Sequence, residues 1–413
     1  MKDVKWTSSE EWKKVNDFIW CICLFVTVFF MFVLVYRQAF STGGYDSDIG
    51  TYINDTREIG EKELTYPVMF WGAYILDKFL YNTPLAMAIM VTIFNFLALQ
   101  FTRNIIRKLV GDHTPLLVTF SSIALFFVSM IFNHRLEALG ILHYYVGVGS
   151  PNPWHNATYM AARPFSILSF AYGAYTLAHY EADMAKGIRF EWGVHKYYIF
   201  FAFIIALTTL TKPSYTLPHM VVVFVVAVYR VIKNKFSTLR QSVLLAVAYI
   251  PTICVLIWQY FLSFTGTSYG EEQGIAISLF ESWSMNCKNI PLAILLAALF
   301  PFITLVIHRD QLKESAEFRF AWQIYIVGLL MNVIFIEKGV RANDGNFGWG
   351  YLYGIFFVFL TGIVMWIRDI QTISNGTTLV KKKMATLVET MTLLLHLVMG
   401  IHYFQMLFIG MHY

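Results

Sequence analysis

The feature that most constrains this chain is a series of long apolar blocks with almost no charge inside them. Eleven stretches read as membrane spans: 18–36, 84–101, 115–132, 163–180, 197–211, 216–229, 241–263, 291–307, 319–336, 350–367 and 385–409. A helix needs about 20 apolar residues to cross the hydrocarbon of a bilayer. Backbone in lipid must satisfy its own hydrogen bonds, so stretches of this length are helices. Charged residues make up 14% of the chain and hydrophobic residues 57%, where an ordinary globular chain has about 25% charged. The expected fold is an all-α polytopic membrane protein with about 11 transmembrane helices. Disordered, disulfide-scaffold and ordinary water-soluble classes are excluded. The aromatic share of 17% suits side chains that collect at bilayer interfaces.

The fifth and sixth spans are short and flank Lys212-Pro213, read as the break between them because proline cannot continue a helix cleanly. The stretch 66–81 carries Asp77 and Lys78 and reads as an interfacial or re-entrant segment rather than a span. With the N-terminus inside, the inner segments hold 21 of the 31 basic residues. That asymmetry is the positive-inside pattern. It predicts a plasma-membrane protein with its N-terminus cytoplasmic and its C-terminus outside. Seven acidic residues fall in the first outer loop alone. The outer loops are 37–83, 133–162, 264–290 and 337–349, and none has the length of a soluble domain, so residues 1–413 read as one transmembrane domain. Any site faces outward. A net charge of +5 then reflects topology, not nucleic-acid binding. The N-terminus does not read as a signal peptide. The four cysteines form no cluster with histidines at zinc spacing, so no structural metal is expected.

The first outer loop runs Gly43-Gly44-Tyr45-Asp46-Ser47-Asp48-Ile49 and continues with apolar positions at Tyr52, Ile53, Thr56 and Ile59. That spacing predicts an amphipathic surface helix. Asp48 is placed as its N-cap. The alternative role for Asp48 is a general base held at the membrane surface.

An aspartate in the first outer loop, a helix over 49–60, and Tyr66-Pro67 entering a hydrophobic segment together resemble the GT-C superfamily of membrane glycosyltransferases. Lys212-Pro213-Ser214-Tyr215 between short spans resembles a segment of bacterial members. The resemblance covers about the first 215 residues. It implies a many-helix GT-C-like fold and a sugar transferase using a polyprenyl-phosphate-linked donor. Asp48 would be the base, with Asp46 as the alternate. A divalent cation such as Mg²⁺ or Mn²⁺ on Asp46 and Asp48 belongs to the same implication. The acceptor would be a lipid-linked or surface glycan, within the membrane lipid.

Other outer residues suit such substrates. The loop 133–162 holds His155 beside Trp154 and Asn156, side chains that stack on sugar rings or bond hydroxyls; for Trp154 the competing reading is an interfacial belt. Arg163 opens a span at its positive dipole end, where a cation calls for an anion such as phosphate, unless it snorkels to a headgroup. Lys212 is costly at its depth unless it is paired or faces water. Glu337 and Arg341 lie in a glycine-rich loop, where so many glycines imply close backbone approach. With Tyr52, these are the candidate substrate-binding residues. The loop 264–290 has a helical look and no assigned role. The rival functions are a polysaccharide repeat-unit polymerase, which the arginines suit equally, and a transporter or flippase, which predicts broken helices in matched halves.

Overall fold

The computed structural model describes residues 10–41, 45, 47–59, 67–142, 148–185, 191–264, 274–339, 344–374 and 379–411. Among the described residues the fold is all-α apart from one two-stranded antiparallel ribbon. Among the described residues, five helices are long and apolar enough to cross a membrane, and two bent pairs raise the number to seven if each pair is one span. These are the helices of an integral membrane protein.

Each of the eleven apolar stretches lies largely on helix. They fall on α1 (Glu10–Phe40), α4 (Thr83–Val110), α5 (Pro115–Leu125), α6 (Ala157–Ala185), α7 (Trp192–Thr211), α8 (Thr216–Lys233), α9 with α10 (Leu239–Val247, Ile250–Phe264), α12 with α13 (Ile290–Ala297, Leu299–Ile307), α15 (Ala316–Ile334), α16 (Gly348–Ser374) and α17 (Val380–Phe408). The other described α-helices are α2 (Ile49–Arg57), α3 (Val68–Leu80), α11 (Glu281–Ser284) and α14 (Gln311–Glu314), and His134–Leu139 forms a 3-10 helix. α3 has 13 residues, about 20 Å of rise, short of the roughly 30 Å hydrocarbon core. It folds back on α4 through Tyr81 in a left-handed conformation and an Asn82 cap on Leu85 N. The described part of the 66–81 stretch, 67–81, is therefore a hairpin arm.

α16 is the centre of the bundle: its apolar window is entirely buried, and it packs on α15, α13, α17, α4 and α5. α1 and α17 lie at the periphery and present Phe18, Phe25, Met391 and Val398 outward, where lipid solvates them. α6 is buried along its length although it is less apolar; its Ser169 hydroxyl meets Thr208 of α7 at 2.8 Å.

Four predicted elements differ. The stretch 115–132 is helical only to Leu125; beyond it the chain runs irregularly, and Ser129 N and Ile131 N donate to the carbonyls of His396 and Leu296. Such backbone is tolerated at membrane depth only when protein satisfies it. The spans 241–263 and 291–307 are not continuous but bend by 53° and 73°. The second bend frees Phe300 N, which finds His396 Nε2 at 3.3 Å. Finally, the described part of 264–290 does not form one helix as its pattern suggested. It contributes β1 (Gly274–Ile277), which pairs with β2 (Phe335–Lys338) in the register Ile275 opposite Glu337, and only then the short α11. Strand pairing across distant segments overrides local helical spacing there.

Candidate functional site

α2 forms over the predicted positions, with Ile49, Ile53 and Thr56 buried. It packs on α1, α3 and α4 rather than lying free on a surface. Asp48 holds the N-cap position, but its side chain makes no cap bond. Ser47 Oγ accepts from Ile49 N instead and donates to the His155 carbonyl at 3.0 Å. Asp48 N also donates to that carbonyl, at 3.1 Å. These bonds pin the start of α2 to the start of α6 and free the carboxylate for other partners.

Asp48 Oδ2 accepts from Asn156 Nδ2 at 2.6 Å and from Tyr52 Oη at 3.4 Å. Asn156 also faces the other way: its Oδ1 accepts from Tyr159 N at 2.8 Å and Thr158 Oγ1 at 2.9 Å. Lys212 Nζ donates to Thr158 Oγ1 at 2.9 Å and sits 4.8 Å from the Trp349 ring centre, a cation–π distance. A continuous chain of polar contacts thus links Asp48, Asn156, Thr158 and Lys212. Lys212 is placed there by Pro213, which forces the preceding residue into extended backbone (φ −161, ψ 117) and ends α7. The predicted break is found between Thr211 and Thr216.

Around this chain lies a cavity of about 510 Å³, lined by Asp48, Tyr52, His155, Asn156 and Lys212 on one side and by Ser282, Asn286, Asn332, Asp344, Asn346 and Trp349 on the other. A second cavity of about 500 Å³ adjoins it, sharing Lys212 and Asn346. Its walls are mostly apolar: Leu217 of α8, Leu256, Ile257, Tyr260 and Phe261 of α10, Ile275 of β1, and Phe347. Ile257 and Phe261 are exposed and face outward from the bundle. Burial of Tyr52 and the adjacent Asp48 charge raise its phenol pKa well above the ordinary value, so it stays a neutral donor.

Of the predicted site residues, Asp48, Tyr52, His155 and Lys212 come together in the polar cavity. Glu337 is nearly buried on β2, accepts from Asn346, and lines the apolar cavity instead. Arg163 is not among the lining residues. It is fully buried beneath Phe126, Trp154 and Tyr159, with Nη1 donating to Asn152 Oδ1 at 2.6 Å. α6 begins at Ala157, so Arg163 lies in its second turn and not at its dipole end. Trp154 is likewise buried rather than part of an interfacial belt. Asp46 and Arg341 lie outside the described residues, as does Tyr66. The described groups touching Asp48 are an amide and a phenol, both hydrogen-bond donors; these do not fit a metal ion on that oxygen. Among residues not predicted, Asn332 had a legible signal, an amide within an apolar run. Ser282 had none.

No protein-family model and no curated protein matches this chain.

Proposed function

We propose that the protein is a membrane glycosyltransferase of GT-C type, acting on a polyprenyl-phosphate-linked sugar. The observation that carries this reading is the junction at Lys212, where a polar cavity holding the Asp48 and Asp344 carboxylates meets an apolar cavity flanked by the exposed Ile257 and Phe261. An amphipathic donor matches that pair: prenyl chain along α8 and α10, phosphate at Lys212, sugar among His155, Asn286, Asn332 and Trp349. Asp48 takes the proton of the acceptor hydroxyl as its oxygen bonds the anomeric carbon. The bond from that carbon to the phosphate oxygen breaks, and Lys212 stabilises the charge on the departing phosphate. Holding the lipid donor in the membrane plane supplies proximity. The finer topology belongs to the same proposal: eleven spans, N-terminus cytoplasmic, and the polar cavity on the outer face of the plasma membrane.

A carrier of lipid-linked glycans is the second reading, favoured by the two bent helix pairs. The polymerase reading loses ground because Arg163 is walled off from the cavity.

The test is a mass-spectrometric profile of lipid-linked glycans. Cells lacking the gene are compared with cells restored with wild type, Asp48→Asn or Lys212→Met at equal protein level. Accumulation of a species one sugar lighter, in the null and in both variants, is expected. A complete repeat unit with the polymer lost makes the protein a polymerase. An unaltered glycan confined to the inner leaflet makes it a carrier.

A further inference from the structure

The far end of α16 carries a cluster that the proposed reaction does not use. His308 follows α13, Asp369 lies near the end of α16, and Glu389 lies in α17. One ligand atom from each lies within 4.8 Å of the other two. His308 Nε2 faces Glu389 Oε1 at 3.2 Å and Asp369 Oδ2 at 3.7 Å. Glu389 is fully buried, yet neither of its oxygens has a hydrogen bond among the described residues, and His308 Nε2 has none. Lys382 Nζ contacts Asp369 Oδ1 at 2.9 Å, which leaves Oδ2 toward the cluster.

A buried carboxylate without a donor is a poor packing solution. One lysine, already placed on Asp369, does not balance two carboxylates. The His308–Glu389 approach instead has the spacing of two ligands on one ion: on a tetrahedral centre with bonds of about 2.0–2.1 Å, neighbouring ligands are about 3.3 Å apart. We propose that His308 Nε2, Asp369 Oδ2 and Glu389 bind a divalent transition-metal ion. The mixed imidazole and carboxylate set favours zinc over magnesium or calcium, which take all-oxygen shells. Lys382 orients Asp369 from outside the coordination sphere. From Trp349 at the polar cavity to Asp369 is twenty residues of α16, about 30 Å along the axis. The ion therefore clamps three elements at the opposite end of the molecule and takes no part at Asp48. The absence of clustered cysteines and histidines predicted no structural metal; residues 308, 369 and 389 lie too far apart in sequence for spacing to reveal the set.

The experiment uses the full chain purified in detergent. Elemental analysis is expected to give about one zinc per chain, and X-ray absorption an N/O shell near 2.0–2.1 Å with imidazole scattering. Chelation lowers Tm, and added zinc chloride restores it. Glu389→Gln and His308→Gln lose the metal and the zinc-dependent rise in Tm. If Glu389→Gln does not fold, His308→Gln and the wild-type absorption spectrum decide. Another divalent transition metal lost on the same substitutions also supports the site. Wild-type protein that takes up no such metal, with Tm indifferent to it, overturns the proposal. So does metal retained in full by both variants.

Discussion

Asn156 stands between two opposite charges, donating its amide to Asp48 Oδ2 at 2.6 Å while its carbonyl oxygen caps Tyr159 N at 2.8 Å. One side chain thus both starts α6 and aims the carboxylate. Asn156→Asp keeps the cap, because aspartate serves there as well, but sets a second carboxylate against Asp48. Like charges raise the pKa of one member of such a pair. The expected result is a near-wild-type Tm with the acid limb of the pH–rate profile moved to higher pH. Asn156→Ala loses the cap, at a cost of about 1 kcal/mol, and lowers kcat more than it raises KM. Sugar-transfer rates on purified protein across pH check both.

Tyr52 offers a pH test of the fold. Burial and the nearby Asp48 charge raise its pKa in the folded protein. Its contribution to stability is therefore fully present below its unfolded value of about 10 and is lost as pH rises above that. Tyr52→Phe removes one titrating group and should make the fall in Tm above pH 10 shallower by about one proton's worth of slope. Below pH 9 the two proteins should differ only by a small constant. Thermal melts from pH 8 to 11 in detergent read both regimes.

The parts written in local pattern were legible. Ile49, Ile53 and Thr56 announced α2, Lys212-Pro213 announced the break after α7, and most of each apolar run became helix. The candidate site was half legible, since Asp48, Tyr52, His155 and Lys212 meet but Arg163 does not join them. The rest depends on tertiary context. The bends near Ala248 and Ala298 start from Pro251 and Pro301, which remove the helical bonds to the carbonyls of Val247 and Ala297, but the prolines alone do not set how far the helices bend. The bends are sustained by distant partners, as where His396 receives Phe300 N. β1 has four residues, too few for a period-two signal, and exists because Phe335–Lys338 lies beside it. Arg163 misled because a cation near a predicted helix start suggests an anion. Its actual surroundings, Asn152 and three aromatic faces, come from a loop whose path no periodicity describes.

Arg163 should then behave as a structural residue. Its guanidinium is buried among Phe126, Trp154 and Tyr159 and holds Asn152, whose Nδ2 in turn donates to the carbonyls of Leu125 and Val128 at 2.9 Å each. Arg163→Met keeps the volume but leaves Asn152 Oδ1 without its donor, a loss of about 1–3 kcal/mol. The expected outcome is a lower Tm with KM for the lipid donor unchanged. A large rise in KM at unchanged Tm would instead return Arg163 to the site.

His396 joins two irregular segments across α17. Nδ1 donates to the Ser129 carbonyl at 2.7 Å, which leaves Nε2 to accept from Phe300 N. Both partners are backbone groups without regular helical bonds. His396→Ala strands a donor and an acceptor in a buried place and opens a cavity, costing about 2–5 kcal/mol. His396→Gln, whose amide can reach both groups, should recover part of that. The comparison is made by Tm and by yield of monodisperse protein in detergent.

The glycines of Gly348-Trp349-Gly350 were expected to mark close backbone approach; at Gly350, as at Gly354 one turn further on, the close neighbours are other parts of the bundle. A Cβ on Gly350 would stand 2.8 Å from the Ser214 carbonyl oxygen, and one on Gly354 would stand 2.7 Å from the Tyr325 Cα. Both meet backbone, which cannot turn aside as a side chain can. The two positions differ in what they disturb. Gly354 lies where α16 crosses α15, so Gly354→Ala should cost about 1–3 kcal/mol by overpacking and leave activity per folded molecule unchanged. Gly350 presses on the Lys212-Pro213-Ser214 break itself. Gly350→Ala should push that break away from α16, carry Lys212 from Thr158 and Trp349, and lower kcat/KM by about tenfold or more, since a displacement of 1 Å can cost a hundredfold. Measuring Tm and turnover on both variants separates the effects. Equal losses of turnover, or none at Gly350, would detach Lys212 from the reaction.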